Sequence, residues 1–319
     1  MNHRVPLFAV VVNLLAACSM LSAGERTKVE VVSSIDGAKQ PCYVVLPSNY
    51  DADGKPAPLL VSLHSWSADL EQRKPSLEAE AESRGWIMIY PNFRGRNDHP
   101  QACGSLLAQQ DILDAVAWAQ KQHHVDAKRI YLTGVSGGGH MTMLMAARHP
   151  NVWAAASAWV GISDLASWHE RHADDRYGEM LRKCCQGRPG DSPQVDEQYK
   201  ARSPLTHLHR AVDVPLDIAA GVHDGHQGSV PVRHSLDAFN VIAKAAGDEQ
   251  ISEEEIAQIS RPNGRLESPR ASDQEEDAGF GRALYLRRTA GKSRVTIFEG
   301  GHEGITRAAA EWLDGKAKK

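Results

Sequence analysis

Short continuous apolar runs along this chain alternate with longer stretches in which apolar residues recur every three or four positions. Leu59-Leu60-Val61-Ser62-Leu63 and Trp86-Ile87-Met88-Ile89-Tyr90, the latter stopped by Pro91, are runs of the kind that a strand buried on both faces requires. Arg129–Leu132, Trp153–Trp159, Val214–Ala219 and Val295–Phe298 continue the series. Between them, Ser76–Ser83 is rich in Ala, Glu and Leu, and Gln109–Gln122 places Ile112, Leu113, Val116 and Trp118 at helical spacing. Strand, helix, strand, helix in succession predicts an α/β fold with a mostly parallel central sheet and helices on both faces. Upstream, Lys28–Ser33 and Pro41–Leu46 read as an antiparallel pair of edge strands, and the polar segment Ser48–Pro58 as a turn.

This domain is expected over residues 25–319, with one departure from the pattern at about 245–277. That stretch is acidic and polar, with Glu253-Glu254-Glu255, Pro262, Asn263 and Gly264. It reads as an insertion carrying one short amphipathic helix at Ile251–Ile259, the rest being surface loop that either partly covers a site or is a solvated excursion.

The N-terminus carries a different signal. His3 and Arg4 precede an apolar run from Val5 to Ala17, broken only by Asn13 and ending in Leu15-Ala16-Ala17-Cys18. The run is too short to span a bilayer, so residues 1–17 are expected to be an export signal. Leu-Ala-Ala-Cys is similar to the bacterial lipobox, which implies acylation of Cys18 and a membrane-tethered lipoprotein; ordinary cleavage near the same place is the alternative. Either way the protein is expected outside the cytoplasm. Of the five cysteines, removing Cys18 leaves Cys42, Cys103, Cys184 and Cys185. Two bridges are open to these four, as are buried thiols, and spacing does not give the connectivity. The 319 residues, 42% of them hydrophobic, suffice for one large core. A net charge of −4 offers no basic field to hold nucleic-acid phosphates, which excludes that class of partner.

The chemistry concentrates at Gly134-Val135-Ser136-Gly137-Gly138. This is a G-x-S-x-G turn after the strand Ile130-Tyr131-Leu132-Thr133 and before Met141, Leu144 and Met145 at helical spacing. A strand-to-helix turn this sharp strains its serine and leaves no room for Cβ atoms at Gly134 and Gly138. It marks Ser136 as the nucleophile of an α/β-hydrolase fold. A serine hydroxyl needs a base within hydrogen-bond reach, and the base needs an acid behind it. His302, in Glu299-Gly300-Gly301-His302 after a strand, is the expected base. Asp224, in Gly221-Val222-His223-Asp224 after an earlier strand, is the expected acid, favoured over Asp217 within a strand and Asp237 on a helix. His223, Asp224 and His226 also admit a metal-ligand reading against one of hydrogen-bonded loop histidines, and His169 and His172 suit a solvated helix face. For the oxyanion, the Gly137 amide is one expected donor and that of Trp66, or of Ser65, the second. His64, Trp66 and Val135 are candidates to line the substrate pocket. No metal or organic cofactor is implied.

Taken in order, Leu63-His64-Ser65, Pro91-Asn92-Phe93-Arg94-Gly95, Gln110-Asp111-Ile112, the Ser136 turn, Gly221-Val222-His223-Asp224, Val230-Pro231 and Glu299-Gly300-Gly301-His302 resemble the catalytic domain of the prolyl oligopeptidase group, peptidase family S9, and related secreted carbohydrate esterases. In that family Val-Pro follows the acid closely, whereas here Gly225 to Ser229 intervene. The oligopeptidases also carry a long N-terminal β-propeller that helps to anchor a peptide, and this chain is expected to have no room for one. The resemblance therefore implies an exported serine hydrolase acting through an acyl-enzyme, with acetylated or feruloylated carbohydrate as the leading substrate class. A serine-type oligopeptidase without a propeller, and a non-catalytic carbohydrate-binding protein on the same fold, are the alternatives.

Overall fold

The structure, a computed structural model, describes residues 24–319; the signal expected at residues 1–17 and the lipidation expected at Cys18 lie outside them. Nine strands form one sheet: β1 (Arg26–Val32), β2 (Lys39–Val45), β3 (Ala57–Leu63), β4 (Ile87–Pro91), β5 (Val125–Val135), β6 (Ala155–Trp159), β7 (Leu216–Gly221), β8 (Leu284–Ala290) and β9 (Ser293–Phe298). Their order across the sheet is β1-β2-β4-β3-β5-β6-β7-β9-β8. The run from β4 through β9 is parallel, while β1, β2 and β8 pair antiparallel at the two edges. Every residue of β3, β4, β6 and β7 is buried, as strands covered on both faces must be.

Helices α1 (Pro75–Ser83), α2 (Leu106–Gln122) and α3 (Gly137–Arg148) are the crossovers of the first half, and α2 starts where the Ser105 hydroxyl accepts the Ala108 amide at 3.1 Å. Between β6 and β7 the chain builds α4 (Leu165–Arg171), α5 (Arg176–Cys185), α6 (Pro193–Arg202) and the single turn α7 (Pro204–His207). These enclose a separate apolar cluster that includes Trp66, Trp168, Leu181 and Tyr199. Then follow α8 (Arg233–Ala246), α9 (Glu253–Ile259) and α10 (Thr306–Leu313).

The sequence pattern misses β8 for an electrostatic reason. Leu-Tyr-Leu-Arg-Arg-Thr-Ala carries two arginines in its middle, yet Arg287 and Arg288 are both buried. Their charges are met from the stretch at 245–277: Asp277 lies 2.8 Å from Arg287, Glu255 lies 2.9 Å from Arg288, and the fully buried Asp273 also holds Arg288 and accepts the Arg287 amide at 2.8 Å. Buried charges persist only when paired and hydrogen-bonded. The stretch is therefore part of the folded body, with Ile251, Ile256, Ile259 and Leu266 in the main core and α9 closed by a capping box from Ser252 and Glu255. Among the described residues its hydrogen bonds reach the active-site edge only at His226 and Glu299.

The four described cysteines are free and buried, so neither of the two bridges left open by the sequence is formed. Cys103, Cys184 and Cys185 share the apolar cluster under α4–α6, and Cys42 sits in β2. Among the described residues no helix is long and apolar enough to cross a membrane.

Candidate active site

β5 ends at Val135 and α3 begins at Gly137, so Ser136 alone makes the turn, at φ 60° and ψ −117°. A non-glycine residue held there is strained, and the surroundings fix it: its amide donates to the Trp159 carbonyl at 2.9 Å. A Cβ on Gly134 would lie 2.4 Å from the backbone of Gly138, and one on Gly138 would lie 2.5 Å from the Leu63 carbonyl. Backbone against backbone at such range tolerates only glycine.

The loops after β7 and β9 bring the other two groups. His302 Nε2 lies 2.9 Å from Ser136 Oγ, and His302 Nδ1 lies 2.7 Å from Asp224 Oδ2. Asp224 is 1% exposed, and its other oxygen accepts the amides of Gly225 at 2.9 Å and Val230 at 3.1 Å. The five residues between the acid and Val230-Pro231 thus loop out and return, and the returning amide fixes the carboxylate. Trp168 Nε1 and His172 Nε2 on and beside α4 both lie 2.8 Å from the Ser229 carbonyl, which ties this loop to the helical layer. Gly228, which the sequence pattern did not single out, passes so close that a Cβ there would lie 2.6 Å from His302 Cβ.

The competing carboxylates are engaged elsewhere. Asp217 is fully buried in β7, bound to Arg294 at 2.7 Å and Ser157 at 3.0 Å, and Asp237 pairs with Arg233 on α8. His223 Nε2 meets Glu299 at 2.7 Å and His226 Nε2 meets the Ser260 carbonyl at 3.0 Å, so His223, Asp224 and His226 are each turned to a different partner. His169 is buried against Tyr199, not on a solvated face, and His172 is likewise buried.

Across from Ser136 lies the loop after β3. A Cβ on Gly137 would come within 2.4 Å of the Trp66 amide nitrogen, so these two backbone segments meet directly. The Ser65 amide is already committed to Gln72 Oε1 at 2.9 Å. Among the described residues the amides of Trp66 and Gly137 have no protein acceptor, and they stand together beside the serine.

Of the three expected pocket residues, Trp66 and His64 do not border the cavity that Val135 borders. The Trp66 ring is 1% exposed, packed on Trp168 at 4.8 Å and His140 at 5.7 Å between centroids; the apolar cluster there claims it. His64 is buried and stacked on Phe93 at 3.9 Å, and burial pushes its imidazole down to about 4. It is neutral near pH 7, with a single N–H for the two carbonyls, Ser65 and Asn92, that flank its ring at 3.0 Å. Val135 does border a cavity, of about 340 Å³, between the N-terminal ends of α1 and α10. Ser65, Val135 and Gly304 on its wall lie within two residues in sequence of Trp66, Ser136 and His302. Gln72 and Lys74 border it as well; burial pushes the Lys74 ammonium down to about 7, and it donates to the Leu63 carbonyl at 2.6 Å. Neither residue carried a motif, and only their place between a strand end and a helix start marks them.

Residues 76–252 match the sequence model of the Prolyl oligopeptidase family. Acetylxylan esterase A of Emericella nidulans is 27% identical over 202 residues, which cover 59% of this chain and 57% of that protein. Feruloyl esterase B of Talaromyces stipitatus is 26% identical over 246 residues, covering 72% of this chain and 61% of that protein. The chain thus spans about three fifths of the length of these relatives. Among solved structures, the acylaminoacyl peptidase of Pyrococcus horikoshii superposes with a TM-score of 0.65 at 20% identity, over 94% of this chain and 43% of that one. That likeness shows the α/β-hydrolase fold.

Proposed function

Because this chain belongs to the prolyl oligopeptidase family, we propose that it is a serine hydrolase working through an acyl-enzyme on carbohydrate esters that carry acetyl or feruloyl groups. The observation that carries the reading is the unbroken line from Ser136 Oγ through the His302 ring to the buried Asp224 carboxylate, with contacts of 2.9 and 2.7 Å. A base so placed takes the hydroxyl proton as Ser136 attacks the acyl carbon, and Asp224 holds Nδ1–H and steadies the imidazolium that forms. The oxygen that gains charge turns to the amides of Gly137 and Trp66. His302 then returns its proton to the leaving alcohol and later activates the water that frees Ser136. None of these steps calls for a metal or cofactor.

The esterase relatives support a carbohydrate ester over a peptide, and the cavity beside Val135 offers room for more than an acetyl group. The test is parallel hydrolysis of acetylated and feruloylated xylan fragments and of a proline-containing peptide panel. Release of acid from the glycans with intact peptides is the expected result. Peptide cleavage alone would make this an oligopeptidase, and no turnover of either with no labelling by a fluorophosphonate would favour a binding protein.

The reading also extends to location: export through residues 1–17 and a lipid tether at Cys18. Metabolic labelling with an alkynyl fatty acid is expected to mark the wild-type protein and to be lost in Cys18→Ser; label retained in that variant would place the lipid elsewhere or none at this site.

A further inference from the structure

Gln72 is one of the residues that line the cavity beside Val135, and from there it reaches the loop after β3. Gln72 grips Ser65 twice. Its Oε1 accepts the Ser65 amide at 2.9 Å, and its Nε2 donates to Ser65 Oγ at 3.1 Å. Ser65 Oγ in turn donates to the carbonyl of Val135 at 3.3 Å, the residue just before Ser136. A continuous hydrogen-bonded path therefore runs from Gln72 through the β3 loop to the turn that holds the nucleophile.

We infer that Gln72 is a positioning residue for the oxyanion: by holding Ser65 from two sides it fixes the Trp66 amide opposite Gly137. The inference rests on the serine-hydrolase reading above and adds to it which residue aims the second donor. Two successive amides, those of Ser65 and Trp66, lie in this loop, and only one can face the serine. With Ser65 N–H occupied by Gln72, the Trp66 amide is the one left to face Gly137.

The rest of the loop is pinned independently. Lys74 donates to the Leu63 carbonyl at 2.6 Å and to Ser62 Oγ at 3.0 Å, holding the end of β3. On the far side, the Trp66 carbonyl accepts the Asn97 amide at 3.1 Å, and the Trp66 ring is packed in the apolar cluster. What no other group supplies is an acceptor for the Ser65 amide. Without it, that donor is free to seek a partner and the His64–Ser65 peptide that carries it is free to turn, leaving the Trp66 amide, one residue on, restrained from this side only through the Ser65 carbonyl, which accepts the Ala68 amide at 3.2 Å and lies 3.0 Å from His64 Nδ1. An oxyanion donor acts only if it is aimed in advance at where charge will develop; loss of one donor costs about 10²–10³-fold in kcat, and a displacement of about 1 Å on the order of 10²-fold.

The test uses Gln72→Met, which keeps the length of the side chain and removes both polar atoms, beside Gln72→Glu, which restores an acceptor. For 4-nitrophenyl acetate and butyrate, Gln72→Met is expected to lower kcat by about 10–100-fold with KM within about threefold. The Ki of an arylboronic acid, whose tetrahedral Ser136 adduct places an oxygen on the same amides, should rise by a similar factor. Gln72→Glu should recover kcat to within about fivefold of wild type. A fold defect would instead lower the fraction of enzyme titrated by a fluorophosphonate and leave kcat per titrated site unchanged, which overturns the inference. So would a loss of activity confined to the butyrate, which would make Gln72 a wall of the cavity and no more. Ser136→Ala, measured alongside, separates the two claims: if it stays active the serine-hydrolase reading itself fails, whereas an inactive Ser136→Ala with a fully active Gln72→Met sinks only the role of Gln72.

Discussion

Ser136→Ala is expected to lower kcat on the best ester by at least ~10³-fold, about 4 kcal/mol of transition-state stabilisation, while KM changes little. The substitution removes the attacking oxygen and nothing that holds the turn. The amide of residue 136 still donates to the Trp159 carbonyl, and alanine bears the same φ of 60° that serine bears now. Thermal unfolding should therefore give a midpoint within a few degrees of wild type, and the boronic-acid adduct should be lost altogether. Activity retained in this variant would mean that the strained turn at Ser136 serves some other purpose.

The second large effect is expected at Asp224, where the geometry dictates which way an amide would point. Asp224 Oδ1 accepts two backbone amides, from Gly225 and Val230, so in Asp224→Asn the carbonyl oxygen must stay on that side. The NH₂ group then faces His302 Nδ1, which lies 2.7 Å from the present Oδ2. An N–H donor there stabilises the imidazole tautomer protonated on Nε2, and that tautomer has no lone pair to offer Ser136. A loss of about 10⁴-fold in kcat follows, with the fold retained because both backbone bonds to residue 224 survive. Kinetics at pH 7 and proton resonances of the His302 ring would check it; a loss of tenfold or less would mean that another group orients His302.

The sequence reveals the parts of this site that chemistry confines to one residue type. Steric necessity at Gly134 and Gly138 and the strand-to-helix switch around Ser136 are local, and local patterns are legible in a single chain. His302 and Asp224 follow from the order of strands, since loops at the same end of a parallel sheet converge. What stayed hidden depends on contacts far apart along the chain. β8 reads as a poor strand until Asp273, Glu255 and Asp277 are brought against Arg287 and Arg288. The polar stretch that supplies those carboxylates reads as a short amphipathic helix on an otherwise exposed loop, and only the packing of Ile251, Ile256, Ile259 and Leu266 shows it to be part of the core. The layer α4–α6 left no clear pattern, yet it decides the fate of Trp66: Trp168 and the surrounding cluster draw the ring inward, and only the backbone of residue 66 faces the serine. His64 is held away from the cavity beside Val135 for the same reason, because Phe93 and the Asn92 carbonyl, both distant in sequence, engage its ring. Gln72 carries no motif at all, and its part emerges only from where its two polar atoms end.

The most direct test of the account is intact-protein mass spectrometry of the enzyme quenched with acid within the first turnovers of a feruloyl ester. A species heavier by one feruloyl group is expected, mapped by peptide digestion to Ser136, absent from Ser136→Ala and accumulated in a variant slowed in deacylation. Turnover of the ester with no covalent species at Ser136, or with the acyl group on another residue, would contradict it.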